Sequence, residues 1–359
     1  MGINSSKNKE PSLLYQLYGK SNLNNLSMFG GKSKCRELIT PTAVDFNEDT
    51  TNIKQLDDFL YKFSQLTKAV PYEEGVAESK NLELKSMHLG QFKLFFAELL
   101  FLTKHIQSNS ITKVLYVGAA EGYHISKLAD LFPDVLFDLW DPRKFDLEPR
   151  DNIKIYRQFF TDDRAEAYAA DNDKILFMCD IRTLDIGKLK KENEGHKIDD
   201  LIMDDMTMQA NWVKIIKPVY AYLKFRLPWF ENYLSPYLPG TIYLQPYSPT
   251  STEVRLMTNN YFEYVEYDSK EHDEKIAYFS FFIRFANNSC YSRWRHIFQK
   301  YHLRDCWDNA YALYVVDYYL REIHNIQSDD RVGELFMEIL NFHTKKYGKK
   351  YDIVFDKRL

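Results

Sequence analysis

The chain has 359 residues, of which 45% are hydrophobic and 27% charged, with a formal net charge of −4. These values exclude a wholly disordered chain and argue against nucleic-acid binding over the whole surface, while leaving room for a local basic groove. Cys35, Cys179, Cys290 and Cys306 form no C-x-x-C pair, so neither a disulfide framework nor a zinc knuckle is indicated and a reducing, intracellular setting is expected. The longest apolar run, Leu94–Leu102, is too short for a bilayer, and no apolar stretch follows a basic region near Met1, so no signal peptide is expected.

Residues 1–50 are rich in Ser, Asn, Lys and Gly and read as a poorly ordered N-terminal extension. Met1-Gly2-Ile3-Asn4-Ser5-Ser6 fits the N-myristoylation pattern at Gly2, one that unmodified proteins also carry. A single acyl chain would give weak, conditional membrane association even with Lys7 and Lys9 nearby. Residues 51–325 read as one α/β domain, and 326–359 as a closing helix and tail.

Ile53, Leu56, Phe59, Leu60, Phe63 and Leu66 recur at helical spacing and predict an amphipathic helix ending before Pro71. A second helix is expected from Gly90 to Ile106. Strand-like runs follow at Lys113–Gly118, Val135–Trp140 and Lys174–Cys179, with helical or irregular stretches between them at Tyr123–Leu131 and Asp162–Ala170. That alternation predicts a parallel sheet with crossover helices. Past Lys197, closely spaced strands are expected at Tyr220–Arg226, Thr241–Gln245, Glu253–Thr258, Tyr261–Tyr267 and Ile276–Phe285, as antiparallel additions at one edge. Helices near Asp308–His324 and Arg331–His343 finish the chain.

The first strand runs into Gly118-Ala119-Ala120-Glu121-Gly122, small residues that let backbone approach a ligand closely. It is not the G-x-G-x-x-G pyrophosphate fingerprint, and alone a tight turn without a ligand explains it equally well. The second strand ends at Asp141 and the third at Asp180. Ligands bind at the carboxyl ends of strands in open α/β sheets, and an acid after the second strand can hold two ribose hydroxyls. Together these point to an adenosine cofactor without a diphosphate, S-adenosylmethionine more readily than NAD. Lys93 lies in an apolar helix and Lys224 in an aromatic strand; each is open to a plain reading, a snorkelling side chain or a solvent-facing edge.

The segments Gly90-Gln91-Phe92-Lys93-Leu94, Tyr116 to His124, Asp141-Pro142-Arg143, Cys179-Asp180-Ile181-Arg182, Leu223 to Trp229, and Leu244-Gln245-Pro246-Tyr247-Ser248-Pro249 through Glu253-Val254-Arg255 resemble one family in order and spacing. It is the poxvirus cap-specific mRNA (nucleoside-2′-O)-methyltransferase, which also serves as the small, processivity subunit of poly(A) polymerase. The match covers roughly Tyr72 to Tyr319. It implies a Rossmann-like methyltransferase sheet and a Lys-Asp-Lys-Glu tetrad, matched by Lys93, Asp180, Lys224 and Glu253. It also implies that Gln91, Tyr116, Gly118, Gly122, Asp141, Arg143, Asp180 and Arg182 surround S-adenosylmethionine.

For the cap guanine the resemblance implies Trp229 and Tyr72 as sandwiching rings, with Glu231 and Asp273 or Glu274 as acids. A ring sandwich would hold the positively charged methylated base by cation–π attraction. Arg226, Arg255 and Lys217 are candidates for a positive track under the RNA. Glu121 stands where the family turn has proline, and Tyr123 where it has a small residue. The partners implied are capped mRNA and a poly(A) polymerase catalytic subunit, in a virion or host cytoplasm; a non-enzymatic RNA-binding polymerase subunit is the alternative. For Lys224 to act as a base, its ammonium would have to be destabilised from a pKa of about 10.4 toward about 7–8. Otherwise it orients the hydroxyl.

Overall fold

A computed structural model describes residues 53–71, 89–183, 197–228, 234–249, 251, 253–285 and 291–356. Gly2, Tyr72, Trp229 and Glu231 lie outside them. The first long element is helix α1, Gly90–His105, which buries Phe92, Phe95, Phe96, Leu99 and Phe101. Lys104 lies in its last turn, where a cation suits the carbonyl end of the helix dipole.

Strand β1, Lys113–Val117, leads through Gly122 into helix α2, Tyr123–Leu131, then strands β2, Leu136–Trp140, and β3, Ile153–Tyr156. Helix α3, Asp162–Tyr168, precedes β4, Ile175–Cys179; helix α4, Lys197–Ile216, precedes β5, Tyr220–Phe225. Strands β6, Leu234–Tyr237, β7, Thr241–Tyr243, β8, Val254–Thr258, and β9, Val265–Asp268, follow. Helices α5, Ser269–Tyr278, α6, Arg295–Lys300, α7, Trp307–His324, and α8, Asp329–Tyr347, close the described chain.

The main sheet has seven strands in the order β3-β2-β1-β4-β5-β8-β7. The first five run parallel, and β8 and β7 are added antiparallel. Side-chain alternation sets its two faces. Tyr116, Met178 and Tyr222 share one face because they are register partners, and Tyr222 stacks on Phe101 of α1. Trp140, one step out of phase with Leu139, instead meets Phe160, which packs on Trp212 of α4. The sheet is therefore covered on both sides, as a parallel sheet requires.

Three sequence expectations are corrected. Residues 53–66 hold two short 3₁₀ turns, Leu56–Asp58 and Phe63–Gln65, not an amphipathic α-helix. Consecutive Phe59, Leu60 and Tyr61 are all buried, which a one-faced helix cannot arrange. Their backbone is satisfied by tertiary partners instead: Leu244 N donates to Tyr61 O and Trp307 Nε1 to Leu60 O. Ile276–Phe285 is not a strand but the end of α5 and a wide π-helical turn, Phe279–Phe285. A continuously buried apolar run carries no period with which to tell the two apart. The strand expected at Tyr261–Tyr267 is shorter and pairs with β6 in a separate two-stranded sheet.

Candidate active site

Strand register alone assembles one edge of the site. Val117 pairs with Trp140 on one side and Cys179 on the other, and Cys179 pairs with Leu223. The residues that follow, Gly118, Asp141, Asp180 and Lys224, therefore leave the sheet at one level, on strands roughly 4.8 Å apart. Lys224 is in turn the register partner of Arg255 on β8. Lys224 continues the phase of Tyr222, which faces α1, and α1 carries Lys93.

Gly118 sits where the strand order reverses, between β1 and β4. Its φ is +78°, and a Cβ there would lie 2.7 Å from the Asp180 carbonyl carbon, so only glycine lets the two strand ends meet. Gly122, with φ of +72°, opens α2 in the same left-handed region.

The four tetrad residues converge. Lys93 Nζ donates to Glu253 Oε1 at 2.9 Å, and Lys224 Nζ lies 2.9 Å from Asp180 Oδ1. Arg255 joins the pairs, 2.8 Å from Asp180 Oδ1 and 4.0 Å from Glu253 Oε1. Arg182 donates to Glu253 Oε2. Four cations thus surround two carboxylates, an excess of positive charge suited to an oxygen on which negative charge grows.

Burial sets the direction for Lys93: desolvation lowers its pKa against the attraction of Glu253. Burial would raise the Asp180 carboxyl, but Arg255 and Lys224 outweigh it and hold it at about 2. Glu253 follows the same balance, with desolvation overcome chiefly by Lys93 and Lys224, and stays well below the usual carboxylate range. The Lys224 ammonium also reaches the carbonyl oxygens of Asp180 and Ile181, each at 3.3 Å. With three acceptors already around Nζ, an ammonium there would have to give up one of the longer carbonyl contacts to donate to an incoming hydroxyl. Lys224, Arg182, Arg226 and Glu253 line a cavity with apolar Ile202 and Met206 of α4.

Toward β2, Asp141 Oδ2 accepts from Ala120 N and Arg143 Nη2, while Oδ1 accepts from Arg143 N and Nε. Its acceptor sites are fully used, so a ribose diol would have to displace the Arg143 guanidinium, which is 64% exposed and able to swing. Gln91 lies against the glycine turn through His124, and among the described residues its Nε2 has no partner. The donor set fits S-adenosylmethionine: an acid for the ribose, a glycine turn without side chains, and an amide for the amino-acid end.

Several expected roles change. Arg255 is buried and sealed between carboxylates, so it belongs to the tetrad cluster and not to an RNA track; sequence alone could not show its register with Lys224. Lys217 precedes β5 at the opposite edge of the sheet, where its ammonium lies over Phe262 at 5.7 Å. Tyr116 donates its hydroxyl hydrogen to buried Glu98 at 2.6 Å, so that hydrogen is not free for a cofactor. Arg182 is tied to Glu253 on the Lys224 side of the site, not to the glycine turn. Arg226 stays at the carboxyl edge as expected. Asp273 and Glu274 lie on α5, whose His272 packs on Phe225; Val70 N donates to Glu274 O, so the chain leading to Tyr72 docks beside these acids.

A glycine turn after the first strand, acids after the second and fourth, and antiparallel strands beyond the fifth define a Rossmann-like, methyltransferase-type α/β fold. A model of the family described as Poly A polymerase regulatory subunit matches residues 55–326, and this chain belongs to that family. A cap-specific mRNA (nucleoside-2′-O-)-methyltransferase of Fowlpox virus (strain NVSL) is 30% identical over 220 residues, covering 55% of this chain and 69% of that protein. The protein of the same name from Myxoma virus (strain Lausanne) is 30% identical over 215 residues, covering 56% of this chain and 60% of the relative. Among solved structures, bluetongue virus VP4, described as a multifunctional RNA-capping production line, is 13% identical over 50% of this chain and 30% of its own, with a TM-score of 0.36.

Proposed function

We propose that this chain transfers a methyl group from S-adenosylmethionine to the ribose 2′-hydroxyl of the first transcribed nucleotide of capped mRNA. The observation that carries this reading is the joined cluster of Lys93, Glu253, Arg255, Asp180 and Lys224 at the strand ends beside the glycine turn. The names of the poxvirus relatives support capped mRNA as substrate.

Gln91, Gly118, Asp141 and Arg143 would hold S-adenosylmethionine, which supplies an electrophilic methyl group on a sulfonium. The chain's own part is alignment and charge. Lys224 Nζ, steadied by Asp180, donates to the 2′ oxygen and fixes its approach. Lys93, Arg182 and Arg255 hold Glu253 and Asp180 ionised. The surplus positive charge favours the oxygen as its proton passes to solvent water while the O–CH3 bond forms and the S–CH3 bond breaks. Arg226, which borders the same cavity, would meet RNA phosphate.

Incubation with labelled S-adenosylmethionine and capped RNA should label a ribose, and Lys224→Ala should lower the rate by roughly 100-fold or more. Normal labelling by Lys224→Ala would remove the orienting role. A second role, as processivity subunit of a poly(A) polymerase, follows the description of the family model. It is supported if the protein lengthens poly(A) made by a viral polymerase catalytic subunit in both wild-type and Lys224→Ala forms.

A further inference from the structure

Behind the glycine turn lies a polar network of which the methyl-transfer reading uses only Gln91. His124 N lies 3.3 Å, and His124 Nδ1 2.8 Å, from Gln91 Oε1. On the other side of the ring, His124 Nε2 lies 2.8 Å from Glu98 Oε2, and Tyr116 donates to Glu98 Oε1 at 2.6 Å. His124, Glu98 and Tyr116 are buried.

Donor counting fixes the orientations. A backbone N–H can only donate, so the Gln91 atom it meets is the oxygen. The Nδ1 facing that same oxygen must then carry a hydrogen. Nε2 and the Glu98 carboxylate stand at hydrogen-bond distance, so one further proton lies between them, on the imidazole or on Glu98. Both donors fall on Gln91 Oε1, and the Nε2 amide of Gln91 is therefore turned outward as a donor.

We propose that His124, braced by Glu98 and Tyr116, is a positioning residue that presents the Gln91 amide to the carboxylate of the cofactor's amino-acid end. An outward N–H pair selects an anion over an ammonium or an ether. The inference rests on the cofactor reading above, and its test separates the two. Titration calorimetry with S-adenosylhomocysteine, which carries the carboxylate, and methylthioadenosine, which lacks the amino-acid end, reports the contact directly.

The wild-type protein should bind both ligands. Gln91→Leu and His124→Ala should each weaken S-adenosylhomocysteine about tenfold or more while changing methylthioadenosine less than about twofold. Glu98→Gln should keep the preference, since its amide can donate to His124 Nε2 and still accept from Tyr116. Making His124→Ala on that background removes the unpaired buried carboxylate, so the variant stays testable if the single change unfolds. Equal losses for both ligands, or an unchanged preference in the double variant, overturn the inference while the cofactor reading stands. If the wild-type protein binds neither ligand, the cofactor reading falls and takes this inference with it.

Discussion

Two of the buried charge clusters among the described residues differ in one respect. Around Arg284 and Asp308 the charges are closed off: Arg284 Nε and Nη2 reach both Asp308 oxygens at 2.9 and 3.1 Å. Nη1 and Nη2 also donate to the Ser248 hydroxyl and carbonyl, and Tyr247 N donates to Asp308. That cluster tethers the loop after β7 to α7 and has no solvent side. Around Asp180 and Glu253 cations outnumber carboxylates, Arg182 is 47% exposed, and a cavity opens beside Lys224. A saturated charge cluster holds the fold; an unsaturated one beside a cavity is prepared to receive something.

The sharpest way to break this contrast is Asp308→Ala. It should cost about 3–5 kcal/mol by denaturant unfolding, because the buried Arg284 guanidinium loses its carboxylate. A loss under about 1 kcal/mol would mean that the closed cluster does not tether the loop.

Acid should act on the open cluster next. Asp180 is held at about 2, below its ordinary 3.8. Its stabilising contribution is complete above the unfolded value, about 3.9, and is lost as pH falls through the folded one. Unfolding free energies measured between pH 5 and pH 2 should fall less steeply in Asp180→Asn, and parallel curves would contradict the assignment.

Lys224→Met, which removes one of two cations on Asp180, should change stability by no more than about 1 kcal/mol while, on the proposed reading, methyl transfer is lost. A thermal melt decides it: a large drop would make Lys224 structural like Arg284. The smallest effect belongs to Lys217→Ala, at the far edge of the sheet. RNA affinity by filter binding should stay within about twofold, while Arg226→Ala weakens it further.

Much of this was legible in the sequence. Alternating runs and the small-residue turn located Gly118, Asp141 and Asp180 at the strand ends, because a parallel sheet ties its ligand edge to chain order. The stretch Tyr123–Leu131, expected only as helical or irregular, is a helix over those limits. What failed depended on the third dimension. Arg255 looks like any basic strand residue until β8 is set against β5. Lys217 is seven positions from Lys224, but those positions run the length of a strand. The pairing of Glu98 with His124 has no local signature. Helix α4 and strand β3 were also missed.

Tyr123, large where the family turn is small, stacks on Phe342 at 4.5 Å and reaches its carbonyl. Phe342 lies on α8, beyond the span matched by the family model, so the large ring is seated by a helix outside that span.

Because Arg255 and Lys224 face each other across an antiparallel pair, the chemistry inherits the alignment of two neighbouring strands. A slip of one residue would bring Val254 or Leu256 opposite Lys224 and put a hydrocarbon where a guanidinium now neutralises Asp180. A misaligned molecule could therefore keep most of its buried mass and still be silent, so correct pairing at this edge is a precondition for catalysis as well as for shape.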